Sequence, residues 1–551
     1  MNHLLIAPVV LPLISGAVLM LVAPRAPQLA ARLGLASTAL LAGIAALLLA
    51  QSASGEVQAY LLANWRAPFG IPVVLDRLSA LMLLLTAGVG FAALLYSVGG
   101  DDDRGPHFHA LFQFQLLGLN GAFLTGDLFN LFVFFEVLLI ASYGLLLHGG
   151  GTRRLKASLH YVSFNLAGAS LFLIAVSLLY GLTGTLNMAD MAQRLAELPA
   201  DRSQLIQSAA LLLLVVFFVK AALLPLYFWL PGTYSAASAP VAALFAMMTK
   251  VGIYSVLRVT TLIFGESGGA AADVASPWLP ALALGTIGLA AVGALAAGEL
   301  RSQLGYIVIG SAGTLLLAVG LASEATVAAG LVYLVNSALV TSALFLIADR
   351  VDWSRGAVGD HLRAAPGAAT DGSRNQLGLL FFFCSVAVAG LPPLMGFMGK
   401  SLLLQAAGAT SWNIWSVATI LGSTLLVVVA LSRSGSVLFW SPAPDHATAP
   451  PVRVDVMPTG ERDGAAVAGT LHHSWALALL LGAVLACSVA ADPITRYMQA
   501  TAAQLFERDA YLDAVLGTEP VPAAFDVRAE MRAREAADAA AGHGKPEGPT
   551  R

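Results

Sequence analysis

Residues 211–240 read LLLLVVFFVKAALLPLYFWLPGTYSAASAP, and this stretch decides the fold. Nine apolar residues precede Lys220, and Pro225 follows five positions after it. A proline inside a helix removes a backbone hydrogen bond, so the helix should break about one turn beyond the lysine. A charge at the centre of a bilayer costs roughly 2.5–3.5 kcal/mol, so such a residue usually faces a wet protein interior. The stretch therefore predicts a broken membrane helix that carries a charge, with a lysine snorkelling to the membrane surface as the alternative.

The composition agrees with a membrane setting. The chain of 551 residues is 58% hydrophobic and 11% charged, with a mean hydropathy of +0.79, whereas soluble domains contain roughly 25% charged residues. A net charge of -3 without a basic block gives no sign of nucleic-acid binding. Cys384 and Cys487 lie apart without metal or redox spacing, so we expect no zinc or iron–sulfur site.

Apolar runs of the length needed to span a bilayer, about 20 residues, recur along the whole chain. The first, within residues 1–24, lacks a basic start and a clear cleavage site, so we expect a spanning helix there rather than a signal peptide. We predict fourteen spanning helices, at 4–23, 33–51, 75–98, 108–126, 129–147, 157–181, 205–230, 238–263, 277–297, 303–322, 325–348, 376–398, 410–432 and 472–491.

The distribution of Lys and Arg between the predicted loops indicates the orientation. One set of alternate loops holds four such residues, and the other set holds thirteen: Arg25, Arg32, Arg104, Arg153, Arg154, Lys156, Arg301, Arg350, Arg355, Arg363, Arg374, Arg453 and Arg462. Because cytoplasmic loops are enriched in basic residues, we expect both termini on the outer side of the membrane.

Three more charged residues interrupt apolar runs. Glu136 is the only charged residue in 128–147, and it is either a structural carboxylate bonded to a neighbouring helix or a charge partner for a buried lysine. Lys250 lies in the middle of VAALFAMMTKVGIYSVLRV, and it either relays protons from Lys220 or pairs with a loop carboxylate. Tyr254 follows four positions later, on the same face of the helix.

The fourth charge, Lys400, ends a second proline-containing segment, FFFCSVAVAGLPPLMGFMGK, in which Pro392 and Pro393 should break the helix. Two proline-broken helices that each carry a lysine suggest an internal repeat of about five helices, and inverted repeats have such breaks at matching depth. Lysine precedes proline at 220–225 and follows it at 393–400, which we interpret as support for inversion.

Several segments together carry a family resemblance. The sequences DLFNLFVFFEVLL, FVKAALLPLYFWLP, MMTKVGIY and AGLPPLMGFMGKS resemble the large antiporter-like subunits of Mrp-type multisubunit cation/proton antiporters and of the membrane arm of respiratory complex I. The first segment and DAYLDAVLG near the C-terminus are most similar to the D-type subunit of the Mrp (Mnh or Pha) system. The resemblance covers the chain from its first helix to about Gly517.

The resemblance implies an all-α polytopic fold of about fourteen helices in a bacterial cytoplasmic membrane, with helices seven and twelve broken and two inverted five-helix repeats. The implied regions are helices one to three in 1–100, the first repeat in 108–263, the second in 277–432, and helix fourteen in 472–491. Residues 492–551 should form an amphipathic tail, packed on a neighbour or on the membrane surface, and then become disordered.

The resemblance also implies that Glu136, Lys220, Lys250 and Lys400 form a proton path. Relatives often carry a histidine and a lysine on helix eleven, where this chain has Asn336 and Thr341, neither of which titrates. A relay between the halves must then use water held by Asn336, Ser337, Thr341 and Ser342, or another residue.

Three functions remain open at this stage. The chain is expected to be a subunit that translocates protons in exchange for Na+ or K+, within a complex of six or seven different membrane subunits. The alternatives are a proton-pumping subunit of a complex I-like or hydrogenase-type oxidoreductase, and a scaffold whose charges only hold helices together. We find no dinucleotide-binding motif and no cysteine cluster, so we expect neither a cofactor nor a metal, and no enzymatic activity of the chain alone.

Overall fold

The protein is almost entirely helical. The computed structural model describes residues 2–199, 203–363, 371–440 and 468–520, and within these ranges the chain forms nineteen α-helices and one two-stranded sheet. Eleven of these helices are long and apolar enough to cross a membrane, judged by length and composition. The chain is therefore a polytopic membrane protein.

The helices are, in chain order, α1 (Ala7–Val22), α2 (Pro27–Ser52), α3 (Arg77–Ser97), α4 (Phe108–Leu124), α5 (Leu128–Leu147), α6 (Thr152–Thr183), α7 (Met188–Glu197), α8 (Ser203–Ala221), α9 (Trp229–Ala236), α10 (Ala239–Leu262), α11 (Leu279–Ala296), α12 (Leu300–Gly320), α13 (Glu324–Ser354), α14 (Asp371–Ala389), α15 (Met395–Ala407), α16 (Asn413–Gly435), α17 (Ala468–Val489), α18 (Ala491–Phe506) and α19 (Arg508–Leu516). An antiparallel hairpin of β1 (Gln58–Leu61) and β2 (Pro72–Leu75) lies between α2 and α3.

Each of the fourteen predicted segments overlaps a helix. Two of them overlap broken pairs, since 205–230 covers α8 and the start of α9, and 376–398 covers α14 and the start of α15. The number of membrane crossings stays a prediction. The β-hairpin and the amphipathic helix α7 were not predicted, because neither contains an apolar run long enough to span a bilayer.

The ends of the helices form two faces. At the N-terminal face, Asn2 donates a hydrogen bond to Gln51 at the end of α2, at 3.2 Å. At the opposite face, Arg154 at the start of α6 donates to the carbonyl of Ala236 at the end of α9, at 3.2 Å, and Arg153 forms an ion pair with Glu299. Successive long helices run between the two faces, so each lysine has a defined depth.

The C-terminal helices α18 and α19 pack on other helices of this chain, and packing of the tail on a neighbour or on the membrane surface stays a prediction. The hydroxyl of Tyr497 in α18 lies 3.0 Å from that of Ser52 and donates to the carbonyl of Arg77, also at 3.0 Å. Met498 and Leu505 are buried on the side of α18 that packs on α13. The tail is therefore a lid on the N-terminal face. Residues 521–551, predicted to be disordered, lie outside the described residues.

A buried ion pair ties this lid to the bundle. Asp76 caps the N-terminus of α3 and accepts a hydrogen bond from Arg258 at 2.5 Å, with both side chains almost fully buried. The Arg258 guanidinium also lies 5.3 Å from the ring centroid of Tyr511 in α19. Removing one partner of such a pair leaves a buried, uncompensated charge and costs about 3–5 kcal/mol. The pair thus fixes α3, α10 and the tail together.

The two broken helices end with the same backbone hydrogen bonds. After α8 the chain turns at Ala222, with a φ of 57°, and Leu223 N donates to Phe218 O at 3.0 Å. After α14 it turns at Gly390, with a φ of 71°, and the next amide donates five residues back to Val386 O at 3.1 Å. Prolines follow each turn, as predicted for Pro225, Pro392 and Pro393, so neither helix continues past it.

A short backbone bridge joins the loop between α4 and α5 to the loop after α6. The first of these loops is TGD at 125–127. Leu128 N donates to Leu186 O, and Met188 N donates to Gly126 O, both at 2.9 Å. This bridge lies at the N-terminal face, because Gly126 N also donates to the hairpin residue Pro72.

A second bridge of the same kind lies at the opposite face. The loop between α11 and α12 is AGE at 297–299. Leu300 N donates to Asp360 O at 2.9 Å, and Leu362 N donates to Gly298 O at 2.8 Å. The two bridges therefore share one hydrogen-bond pattern and lie at opposite ends of the bundle.

Asp127 in the first bridge is an N-cap with a perturbed titration. Its carboxylate accepts from Asn130 N at 2.8 Å, and only 8% of the residue is exposed. Loss of solvent raises the pKa of Asp127 from 3.8 to about 6, against the lowering effect of its backbone hydrogen bonds. The folded protein thus binds this proton more tightly than the unfolded chain does.

We expect Asp127→Asn to raise thermal stability at pH 7.5 and to leave it unchanged near pH 4. Because folding raises the pKa of Asp127, this residue lowers the free energy of unfolding progressively as the pH rises from about 4 to about 6. Asparagine keeps the cap without the charge. The measurement is the unfolding midpoint of the detergent-solubilised protein at both pH values. Asp127→Ala, which removes the cap, should lower the midpoint at both. An Asp127→Asn protein that is less stable than wild type at pH 7.5 would contradict this account.

Candidate functional site

Lys220 lies at the last turn of α8 and is buried. Its Nζ donates to the side-chain oxygen of Asn165 in α6 at 3.0 Å and lies 5.7 Å from the ring centroid of Phe135. Asn165 in turn donates to the carbonyl of Tyr161, one turn earlier, at 2.9 Å. The ammonium group is thus held by a neutral amide and an aromatic ring.

Glu136 is half-buried on α5 and interacts electrostatically with Lys220. Among the described residues, however, no N–O distance of 4.0 Å or less joins Glu136 to a basic side chain, so the predicted ion pair is not formed in this structure. Its Oε1 is buried and has no hydrogen-bond partner. The carboxyl group therefore keeps a free acceptor within electrostatic reach of the lysine.

The break after Lys220 leaves few backbone groups unsatisfied. The indole of Trp229 donates to Val219 O at 3.1 Å, and Leu224 N donates to the Thr286 hydroxyl at 3.0 Å. Gly252 of α10 packs against the end of α8 so closely that a Cβ there would lie 2.6 Å from Ala221 N. This close approach sets the distance between the helices that carry Lys220 and Lys250.

Lys250 is fully buried on α10. Its Nζ donates to the hydroxyl of Ser311 in α12 at 3.1 Å, and that hydroxyl donates to Val308 O at 2.8 Å. Tyr254 lies one turn away on the same helix, but its hydroxyl donates to Phe123 O at 2.6 Å and accepts from Arg258. Tyr254 thus belongs to the surroundings of the Asp76–Arg258 pair, and the partner of Lys250 is a serine hydroxyl.

Lys400 lies on α15, just beyond the second break. Its Nζ donates to Ala389 O at 2.9 Å, to Val388 O at 3.3 Å and to the Thr424 hydroxyl of α16 at 3.0 Å. The two carbonyls belong to the C-terminal end of α14, where unpaired carbonyls and the helix dipole favour a cation. The broken helix itself therefore supplies the binding site for this ammonium group.

The four α13 residues predicted as a relay are all buried, but they donate to backbone carbonyls rather than contact either lysine. Asn336 donates to Ala387 O at 3.1 Å, Ser337 to Leu334 O at 3.0 Å, Thr341 to Ser337 O at 2.6 Å, and Ser342 to Ala243 O at 2.9 Å. Their role as a relay stays a prediction.

A cavity of about 40 Å³ is lined by residues of the six helices from α11 to α16. Its polar lining includes Ser311, the partner of Lys250, as well as Lys400 and Thr424. The hydroxyls of Thr314 and Tyr333, which interact with each other, also line the cavity wall. The cavity thus connects the hydroxyl partner of Lys250 to Lys400.

Sequence reasoning missed the partners of the lysines, Asn165, Ser311 and Thr424. Asn165 had a detectable signal, because it is the only amide side chain in the predicted span 157–181. Ser311 and Thr424 had none, since serine and threonine are common in apolar helices and usually donate to their own backbone. In the described part of the chain no three His, Cys, Asp or Glu side chains are grouped to hold a metal ion.

The chain is similar to known proteins over nearly its whole length. The family model described as "NADH:quinone oxidoreductase/Mrp antiporter, TM" matches residues 125–426. A probable K+/H+ antiporter subunit of Rhizobium meliloti (strain 1021), of the D type, is 43% identical, covering 92% of this chain and 96% of the relative. The Na+/H+ antiporter subunit of the same type from Bacillus subtilis (strain 168) is 36% identical, with 82% and 90% covered. A chain in the structure of the Mrp complex from Dietzia sp. DQ12-45-1b is 27% identical, with a TM-score of 0.80 and 94% and 100% covered.

Gly252→Ala should lower the thermal unfolding midpoint of the detergent-solubilised protein. The added Cβ would meet backbone atoms of Lys220 and Ala221, which cannot move without separating α8 from α10, and overpacking of this kind costs about 1–3 kcal/mol. Gly88→Ala is the matched control, because a Cβ at that position in α3 meets no atom within 4 Å. Equal midpoints for the two variants would show that the close approach is unimportant.

Proposed function

The chain belongs to the NADH:quinone oxidoreductase/Mrp antiporter family, and from this premise we propose that it is the D-type subunit of a multisubunit antiporter that exchanges Na+ or K+ for protons. The observation that carries the proposal is the series of three lysines inside the helix bundle, two of them buried and Lys400 half-buried, each bonded to neutral oxygen atoms rather than to a carboxylate. The relative from Rhizobium meliloti is named for K+ and the one from Bacillus subtilis for Na+, so both cations are candidates here. The chain is a transporter subunit and not an enzyme.

In the proposed mechanism, protons move along Glu136, Lys220, Lys250 and Lys400. Burial generally disfavours the charged form of lysine, and a neutral partner does not hold the proton as a carboxylate would. Arginine would not serve, because it stays protonated under effectively all conditions. A lysine with an amide or hydroxyl partner can therefore both receive and release a proton.

Glu136 is the proposed switch for Lys220. In the described arrangement the ammonium group bonds to Asn165, while a buried oxygen of Glu136 lacks a partner. Movement of the ammonium from Asn165 to Glu136 would form an ion pair that favours the protonated lysine, and the reverse movement would favour release. The broken end of α8 gives the lysine room for this movement without a continuous helix to disrupt.

We also propose fourteen membrane crossings with two inverted five-helix repeats, 108–263 and 277–432. The support comes from the equal hydrogen bonds at the two breaks and from the two matching backbone bridges at opposite faces. Lys250 and Thr424 are each the twelfth residue of their helices, α10 and α16, so Thr424 occupies the position of Lys250 in the second repeat. The reversed order of lysine and proline, 220–225 against 393–400, does not support inversion. The two halves of an inverted repeat cross the membrane in opposite directions, but equivalent residues follow one another in the same order along the chain.

The chain is proposed to lie in a bacterial cytoplasmic membrane with both termini outside, among several other membrane subunits. The described ends of the chain meet at one face, and Arg153, Arg154 and Arg301 lie at the other. Basic residues mark the cytoplasmic side. Since the matched chain from Dietzia is part of an Mrp complex, we propose a hetero-oligomeric assembly here too.

A pumping subunit of a redox complex is the second candidate, since the family description names NADH:quinone oxidoreductase as well. The same lysines would then be driven by redox chemistry in other subunits. The extent of similarity to a K+/H+ antiporter subunit, 43% identity over 92% of this chain, favours the antiporter. Cation-dependent proton movement in vesicles without an electron donor separates the two.

Lys220→Ala and Glu136→Ala should each abolish cation/proton exchange by the assembled complex, because each removes one partner of the proposed switch. Lys400→Ala should do the same, since it ends the path. Exchange is measured in inverted membrane vesicles with Na+, K+ and Li+. Lys156→Ala, which removes an exposed lysine at the start of α6, is the control and should leave exchange intact. Full exchange by either switch variant in an assembled complex would exclude the mechanism.

Asn165→Asp should slow exchange near neutral pH and move its optimum to more alkaline pH. A carboxylate in place of the amide, 3.0 Å from Nζ, would hold Lys220 in its protonated form. The pH profile of exchange in vesicles measures this, with Asn165→Gln as a neutral comparison. A profile that coincides with wild type would contradict the role of Asn165 as the neutral partner.

A further inference from the structure

Lys400 and the hydrogen-bond partner of Lys250 line the same cavity. Ser311 accepts the hydrogen bond of Lys250 and also lines the cavity that Lys400 lines. We infer that protons pass between the two halves of the subunit through this cavity, along Ser311, Thr314, Tyr333 and Thr424, and not along the predicted relay of Asn336, Ser337, Thr341 and Ser342. The inference rests on the proposed function and adds a route to it.

The first step of the route is the contact between Lys250 and Ser311. In the described part of the chain, Ser311 Oγ is the hydrogen-bond acceptor of the Lys250 ammonium. A hydroxyl has both a hydrogen to give and an oxygen that accepts, so it can pass a proton on without ever carrying a net charge. Ser311 is therefore a relay at the edge of the cavity.

The cavity is large enough for the second step. At about 40 Å³ it has room for about three water molecules, each of which needs roughly 10–15 Å³ and two to four polar partners. The hydroxyls of Thr314, Tyr333 and Thr424 on its wall provide such partners. A chain of water thus has both the space and the bonding groups to cross from α12 to α16.

The third step ends on Lys400. Thr424 lines the cavity and accepts from Lys400 Nζ at 3.0 Å, as Ser311 accepts from Lys250 at 3.1 Å. Both lysines thus meet the cavity through a hydroxyl at hydrogen-bond distance. Thr424 is also the twelfth residue of its helix, as Lys250 is of α10, so the same helix position contributes to the route in both halves.

Proton transfer along this route conserves charge at every step. The Ser311 hydroxyl first turns its hydrogen from Val308 O to the adjacent water. An N–H bond of protonated Lys250 then breaks as its hydrogen bonds to Ser311 Oγ, and the hydrogen already on Oγ passes to that water. Each water hands on one of its own hydrogens in the same way. Neutral Lys400 accepts the last one on Nζ and becomes the cation, while Lys250 becomes the neutral amine.

The rival residues of α13 lack the hydrogen bond to a lysine that Ser311 and Thr424 have. Thr341 and Ser337 donate to carbonyls of their own helix, as Ser311 and Thr314 also do, and Ser342 donates to Ala243 O. Among the described residues, none of these three rivals accepts a hydrogen bond from Lys250 or Lys400. Asn336 donates to Ala387 O and has an unpartnered Oδ1, which makes it the strongest residue of that route. A variant at Asn336 therefore belongs in the experiment as the test of the rival.

The experiment measures cation/proton exchange by the whole complex in inverted vesicles. Ser311→Ala should reduce the rate about tenfold or more, because it removes a proton-relaying group, whereas Ser311→Thr should restore it by returning the hydroxyl. Ser255→Ala is the matched control and should exchange like wild type. Ser255 is a buried serine of α10 whose hydroxyl donates to its own helix at 3.0 Å, as that of Ser311 does at 2.8 Å. Assembly is checked by purifying each complex through a partner protein.

If the Ser311→Ala complex does not assemble, Thr314→Val takes its place in the test. This variant keeps the side-chain shape and removes the hydroxyl, and we expect it to reduce the exchange rate by the same factor. Wild-type exchange in an assembled variant that lacks its cavity hydroxyl would overturn the inference. So would a loss confined to Asn336→Leu, which would assign the route to α13. A wild-type complex that exchanges no cation at any pH would instead refute the proposed function, and the route would fall with it.

Discussion

An ammonium group inside an apolar bundle must be bonded by polar groups that the bundle itself supplies, and the centre of this protein is arranged around that requirement. Each of the three lysines meets it differently. Lys220 takes an amide from α6, Lys250 a hydroxyl from α12, and Lys400 the free carbonyls at the end of α14 together with a hydroxyl. The break after α14 serves the same requirement, because an interrupted helix exposes carbonyls that can bond the ammonium group of Lys400.

The chemistry of the hydrogen-bond partners separates the arginine pairs at the ends of the bundle from the lysines of the proposed proton path. At the ends of the bundle, arginine pairs with carboxylates, as in Arg258–Asp76 at 2.5 Å and Arg301–Asp349 at 2.8 Å. Such pairs are permanent, since arginine does not release its proton, and they join helices from different parts of the chain. In the centre, lysines bond to neutral oxygen atoms, and these are the groups that we propose to change charge. The arginine pairs form a frame around them, and the C-terminal helices close the frame at the N-terminal face.

The four charges of the candidate site could be found from the sequence, because a Lys or Glu inside an apolar run is expensive and therefore conspicuous. Their partners could not. Ser311 is one of many helical serines, and nothing within its own helix distinguishes it. Lys220 was predicted to pair with Glu136, yet it bonds to Asn165, and Tyr254 was grouped with Lys250 by helical spacing although its hydroxyl is used elsewhere. Spacing along a helix indicates which residues share a face, but it does not identify what the facing helix presents.

By itself the sequence determined that this is a membrane protein, where its long helices lie, where two of them break, and which charges interrupt the apolar helices. These properties depend on local composition and on proline, so they can be read over about 20 residues. The tertiary structure alone decided the hydrogen-bond partner of each lysine, the cavity that touches both Ser311 and Lys400, and the return of the tail onto the N-terminal face. Those features join residues far apart in the chain. The sequence of an apolar helix carries little information about which neighbour it packs against, since an apolar surface fits a bilayer or another helix almost equally well.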